Sequence, residues 1–238
     1  MSDITFPGPR LPVNGYLATP ITVPPWSGLV VVPDILGRTK NMRRHADRLA
    51  SHGYLALVVD LYKQRTPIIC VAQTFAELRR RRGRAFEFIE AARMELARRG
   101  ASRSIGIIGF CLGGGFALVG AMTGHGFQAA SDNYGAIPAN ADAILRDACP
   151  IVARYGKRDP MPANKDAANR LRNALDSLQI PNDVYEDPRA GHAFMDDYGL
   201  FNRYGPCGFI ARKVGLSYNG DAAEDAWAAI IAFFASYL

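Results

Sequence analysis

Four short apolar runs, rich in β-branched residues, recur along the chain at residues 28–33, 54–60, 104–110 and 150–155. They lack the alternating polar positions of a strand with one wet face, so they read as strands of a parallel sheet covered on both sides. The stretches between them carry apolar residues at helical spacing, which predicts helices over 41–52, 73–99, 112–122, 163–178 and 221–237. A late strand is expected at 182–186, and residues 15–18 fit an antiparallel edge strand near the start. Strands alternating with helices predict an α/β fold: a mostly parallel, doubly wound sheet flanked by helices on both faces. At 238 residues the chain fits one such domain, covering 1–238, with no internal repeat or linker. Residues 196–219, rich in Gly, Tyr and Asn, read as a long surface excursion bordering the functional edge.

Composition narrows the picture. No stretch approaches the ~18 apolar residues of a membrane span, and the first ten residues show neither a basic start nor an apolar run, so a cytoplasmic protein without a membrane partner is expected. The cysteines, Cys70, Cys111, Cys149 and Cys207, form no C-x-x-C pair, which suggests neither a disulfide framework nor a zinc site. The net charge of +6 invites a nucleic-acid reading, because Arg79–Arg82, Arg84, Arg93, Arg98 and Arg99 fall on one predicted helix. Glu77, Glu87, Glu90 and Glu95 are interleaved at helical spacings, and no stacking platform of aromatic residues accompanies them. A solvated helix face is the reading adopted, with no nucleic acid as partner.

The chemistry concentrates where the third apolar run ends. Gly109-Phe110-Cys111-Leu112-Gly113 has the G-x-[nucleophile]-x-G pattern of a strand that turns sharply into a helix and lifts one side chain above the sheet edge. Cys111 occupies the nucleophile position. The turn also sets its sulfur at a helix N-terminus, where unpaired N–H groups favour negative charge and hence a thiolate. A thiol near its ordinary pKa of about 8.5 is only slightly ionised at neutral pH and cannot protonate a leaving group, so it needs a histidine. Of the four histidines, His45 and His52 share a predicted helix and His125 follows the helix after the elbow. His192 lies directly after the last predicted strand, at the edge where Cys111 emerges.

An acid should follow a strand between the two and hold the imidazole tautomer. Asp159 fits, coming after the 150–155 run and a glycine turn; Asp132, Glu186 and Asp187 compete. Acyl transfer further requires donors aimed at the developing oxyanion. The backbone N–H of Leu112 is one, and that of Ile35, in the loop after the 28–33 run, is the other. Asp34 beside it reads equally well as a turn carboxylate or as a group that positions thiol or substrate. A dinucleotide site is excluded by spacing, since the glycines around Cys111 do not give G-x-G-x-x-G. No cluster of metal-ligand spacing is visible, so neither cofactor nor metal is expected.

At these residues the chain resembles the dienelactone hydrolase family of the α/β-hydrolase superfamily. The resemblance is carried by Gly109–Gly115 (GFCLGGG), Tyr155–Asp159 (YGKRD) and Ala190–Phe194 (AGHAF), with support from Asp34–Gly37 (DILG) and Asp60–Tyr62 (DLY). It implies an α/β-hydrolase fold and a cofactor-free carboxylic ester hydrolase. Cys111, Asp159 and His192 would form its triad and take a small ester or lactone through a thioester. Members that open dienelactone carry glutamate at the position of Asp34 and an arginine shortly after the triad histidine, where this chain has Met195-Asp196-Asp197. Asp34, Arg38 and Asp196 are therefore expected at the substrate, with Asp196 repelling a substrate carboxylate unless Arg38 or an arginine of the 79–84 cluster compensates. The alternative is a non-hydrolytic ligand-binding protein on the same scaffold, whose sign would be a broken triad or a blocked oxyanion loop.

Overall fold

The computed structural model describes residues 1–62, 67–101, 104–138, 140–197 and 218–238; of residues 67–71 it describes the backbone only. Eight strands form one sheet: β1 (Ser2–Phe6), β2 (Val13–Ala18), β3 (Ser27–Val32), β4 (Tyr54–Val59), β5 (Ile105–Phe110), β6 (Ala130–Asn133), β7 (Ile151–Gly156) and β8 (Asn182–Asp187). Their spatial order is β1-β2-β4-β3-β5-β6-β7-β8. The β1–β2 and β2–β4 pairings are antiparallel and all the others parallel. Among the described residues seven α-helices accompany it: α1 (Lys40–Ser51), α2 (Pro67–Arg80), α3 (Arg84–Arg98), α4 (Leu112–Gly120), α5 (Ala141–Ile144), α6 (Ala167–Ser177) and α7 (Gly220–Tyr237).

The two-residue period of a strand sorts its side chains into two cores. Val30, Val32, Leu55, Leu57 and Ile107 pack with Phe88 and Leu96 of α3, Phe116 of α4 and Leu171 of α6. Their neighbours Leu29, Val31, Ala56, Val58, Ile108 and Phe110 face the other way, onto Met42 and Leu49 of α1 and Trp227, Ile230 and Phe234 of α7. The central strands β3, β4 and β5 are buried on both faces, as their unbroken apolar composition requires. Thr39 caps α1, its side chain accepting from Met42 N–H, and Asn219 does the same for α7 through Ala222 N–H.

Three features depart from the sequence reading. Strand β6 was not expected, because Ala130-Ser131-Asp132-Asn133 is short and mostly polar. It is nevertheless wholly buried, its polar side chains serving the neighbouring elbow as described below. The helix predicted over 73–99 is two helices: the chain turns through Arg81 and Gly83, with φ +54° and +138°. The Glu77 carboxylate accepts the Ala85 N–H at 2.7 Å, capping α3 from the preceding helix. Strand β1 extends the antiparallel edge beyond the single strand foreseen. The expected excursion at 196–219 falls largely on residues 198–217, outside those described.

The arginine-rich helices carry their own counter-charges. Arg93 pairs with Glu90, and Arg98 and Arg99 share the buried Glu95. No helix among the described residues is long and apolar enough to cross a membrane.

Candidate active site

Cys111 sits between β5 and α4 with φ +53° and ψ −116°, a conformation that costs a non-glycine residue about 1–3 kcal/mol. The surroundings hold it there. Cys111 N–H donates to Asn133 O at 2.9 Å, and Cys111 O accepts from Gly114 N–H at 2.9 Å. The tight crossing explains two of the flanking glycines. A Cβ on Gly109 would lie 1.9 Å from Gly113 O, and one on Gly113 would lie 2.2 Å from Val32 O. No side chain fits at either position.

β6 supplies the floor of this turn. The Asn133 amide donates to Gly109 O (3.0 Å) and Ser131 Oγ (3.1 Å). Asp132 accepts from Gly135 N–H at 2.9 Å and from the Tyr155 hydroxyl. Burial pushes the Asp132 carboxyl up to about 6, although both hydrogen bonds oppose the rise. The polar residues that hide β6 in the sequence are thus the ones that fasten the elbow.

His192 enters from the loop after β8 and Asp159 from the loop after β7. His192 Nε2 lies 3.1 Å from Cys111 Sγ, and His192 Nδ1 lies 2.7 Å from Asp159 Oδ2. His192 is 5% exposed, while Cys111 remains partly exposed. Burial alone would push the imidazole pKa down; the hydrogen bonds and negative charges of Asp159 and Cys111 outweigh it and raise it from 6.5 to about 10. The arrangement therefore favours an imidazolium facing the sulfur. The other acids are occupied. Asp132 holds Tyr155, Glu186 pairs with Lys157, and Asp187 binds Arg189, which lowers its pKa.

A strained cysteine on a strand-to-helix turn, aligned with a buried histidine and carboxylate, is an arrangement found in hydrolases. The profile described as the dienelactone hydrolase family matches residues 13–238. The chain belongs to the dienelactone hydrolase family.

Relatives extend along the whole chain. A carboxymethylenebutenolidase of Rhodococcus opacus is 27% identical, the alignment covering 88% of this chain and 81% of that protein. A Bradyrhizobium protein assigned as a 2-oxo-3-(5-oxofuran-2-ylidene)propanoate lactonase is 29% identical over 77% of this chain and 79% of its own. Among solved structures, one from Klebsiella pneumoniae assigned as a dienelactone hydrolase superposes with a TM-score of 0.79 at 26% identity, covering 99% of this chain and 98% of that one. The protein is accordingly a dienelactone hydrolase-like hydrolase with an α/β-hydrolase fold.

The residues expected at the substrate lie differently from the sequence reading. Asp34 is buried and its carboxylate accepts Leu36 N–H at 2.8 Å, while its carbonyl accepts from Gly37 N–H and from the Tyr62 hydroxyl. That is the turn role. Arg38 reaches back to the Asp3 carboxylate of β1 and to Gly15 O, a destination hidden while β1 was unforeseen. Asp196 is fully buried, bonded to His45 Nε2 at 2.9 Å and to the Tyr134 hydroxyl at 2.8 Å. The Asp196 carboxylate is thus turned inward and partnered, not presented where it would repel a substrate carboxylate. Two neighbours of His192 and Asp159 are not evident in the sequence. Tyr134 (φ +47°) sets its ring edge-on against His192, centroids 5.4 Å apart. Asn164 bonds Asp159; its only sequence signal is an amide five residues beyond the acid, after a proline. Among the described residues no group of three His, Cys, Asp or Glu side chains could hold a metal ion.

Proposed function

We propose that this protein hydrolyses a small ester or lactone through a thioester formed on Cys111. The observation that carries the reading is the continuous line from Asp159 Oδ2 to His192 Nδ1 (2.7 Å) and from His192 Nε2 to Cys111 Sγ (3.1 Å). The thiolate attacks the substrate carbonyl, and the carbonyl oxygen takes up the negative charge. We assign the N–H groups of Leu112 and Ile35 as its donors. Leu112 opens α4, where helical N–H groups lack partners of their own, and Ile35 lies in the turn in which Asp34 engages the N–H groups of Leu36 and Gly37. The intermediate collapses as the C–O bond breaks, and the imidazolium of His192 delivers its proton to the departing alkoxide. His192, now neutral, removes a proton from water as that water attacks the thioester. Collapse expels the thiolate and the free acid, and His192 is again imidazolium. Asp159 keeps the Nδ1–H tautomer and stabilises the cation throughout.

The family relatives, named for lactone-opening activities, support esters and lactones as the substrate class. The deciding assay presents p-nitrophenyl esters of increasing acyl length beside lactones with and without a carboxylate. Turnover accompanied by an acyl adduct on Cys111 in mass spectra is expected; turnover that survives intact in Cys111→Ala would discard the mechanism.

A further inference from the structure

We propose that Asn164 is a positioning residue of this site: its amide holds the Asp159 carboxylate in the orientation that His192 uses. The proposal rests on the triad reading above. Asn164 ends a one-turn 3₁₀ segment, Pro162–Asn164, and is 9% exposed. Its Nδ2 donates to Asp159 Oδ2 at 2.7 Å and to Tyr134 O at 3.0 Å. A primary amide has two hydrogens, and those two acceptors use both. The 3.5 Å approach of Asn164 Nδ2 to His192 Nδ1 is then simple contact, and the imidazole hydrogen goes to Asp159. The amide cannot be turned over, because its oxygen would then face a carboxylate and a carbonyl, neither of which donates.

Each oxygen of Asp159 is thereby fixed. Oδ1 accepts Met161 N–H at 2.8 Å, and Oδ2 accepts both Asn164 Nδ2–H and His192 Nδ1–H. The second hydrogen of Asn164 anchors this assembly to Tyr134, whose own N–H donates to Arg154 O and whose ring abuts His192. Without the amide, the carboxylate keeps Met161 N–H but can rotate about its side-chain bonds, and the loops after β6 and β7 lose a direct tie. The side-chain partners of Asn164 are Asp159 and Tyr134 and not the sulfur; it acts through Asp159.

The test compares Asn164→Leu, Asn164→Ser and Asn164→Asp. Asn164→Leu keeps the size and loses the donors; it should lower kcat about 10- to 100-fold, as a small misalignment of a catalytic group does, with KM within about 3-fold. Asn164→Ser, which retains one donor, should recover part of the loss. Asn164→Asp places two carboxylates at hydrogen-bond distance. It should fail at neutral pH and regain activity as acid puts a shared proton between them, a rise that Asn164→Leu cannot show. A second readout avoids turnover: alkylation of Cys111 by iodoacetamide across pH, followed on the Cys111 peptide by mass spectrometry, should shift in Asn164→Leu. If wild type turns over no ester while this shift is seen, the hydrolase reading fails and the positioning role stands. Wild-type kcat and an unmoved alkylation profile in Asn164→Leu, with only a lowered Tm, would overturn the proposal. Should the leucine variant not fold, the serine and aspartate variants decide on the same readouts.

Discussion

Among the described residues two buried histidine–carboxylate pairs meet at Tyr134, and only one of them faces a sulfur. Asp159–His192 spans 2.7 Å and Asp196–His45 spans 2.9 Å; all four side chains are largely withdrawn from water. Tyr134 touches both, with its ring against His192 and its hydroxyl on Asp196. Burial does not separate them either, since His45 and His192 are 6% and 5% exposed. The difference lies in what the imidazole meets besides its acid. His192 presents Nε2 to the sulfur of Cys111, whereas the ring of His45 is stacked on Phe110 at 4.5 Å and tilted against Trp227 at 5.2 Å. A histidine held by a carboxylate is common structural material. The strained cysteine in front of it is what sets one such pair apart.

Deleting the sulfur should have the largest effect. Cys111→Ala should lower kcat/KM by at least ~10³-fold and abolish acyl capture, while the fold persists, because the side chain only partly fills the core. Asp159→Asn should follow, at about 10²- to 10⁴-fold in kcat, measured with the same ester. Its pH profile adds a sign. In wild type the imidazolium persists to about pH 10, so a basic limb is expected only near that value; in Asp159→Asn it should move down toward the ordinary histidine range. The linkage runs the same way. The His192 pKa is raised above its unfolded value of 6.5, so its stabilisation is complete below about 6.5 and is lost as pH rises through about 10.

The second pair should answer in the opposite manner. His45→Phe leaves the buried Asp196 without its imidazole hydrogen-bond partner and should cost about 1–3 kcal/mol in urea unfolding, while kcat of the folded fraction stays within about 3-fold. A kcat loss as large as that of Asp159→Asn would erase the distinction between the pairs. Tyr134→Phe removes only the hydroxyl on Asp196 and should cost about 1–2 kcal/mol, with activity again little changed and the ring contact with His192 retained.

Much of this was readable in advance, for identifiable reasons. The apolar runs that became β3, β4, β5 and β7 have no alternative burial, so their class and order followed from pattern alone. Cys111, Asp159 and His192 each follow a readable strand, and the end of a parallel strand fixes the edge at which its next loop emerges. What escaped was decided by direction and partner rather than spacing. β6 was lost because its residues are chosen to hydrogen-bond the elbow instead of to fill a core. The break between α2 and α3 was lost because a lone Gly83 in an arginine-rich stretch is tolerated within many helices. Arg38 and Asp196 stand where the sequence suggests substrate contacts, but whether a loop side chain points outward or inward depends on neighbours, here Asp3 and the His45–Tyr134 couple, that are distant in the chain.

One consequence follows from where the imidazole is suspended. β8 is the last strand of the sheet and has a single flanking strand, β7, whereas the sulfur belongs to β5 in the middle. Peripheral strands peel away more readily than central ones. A brief fraying of β8 is therefore expected to draw His192 away from Cys111 while most of the sheet is still intact, so sulfur and imidazole should part before the protein melts.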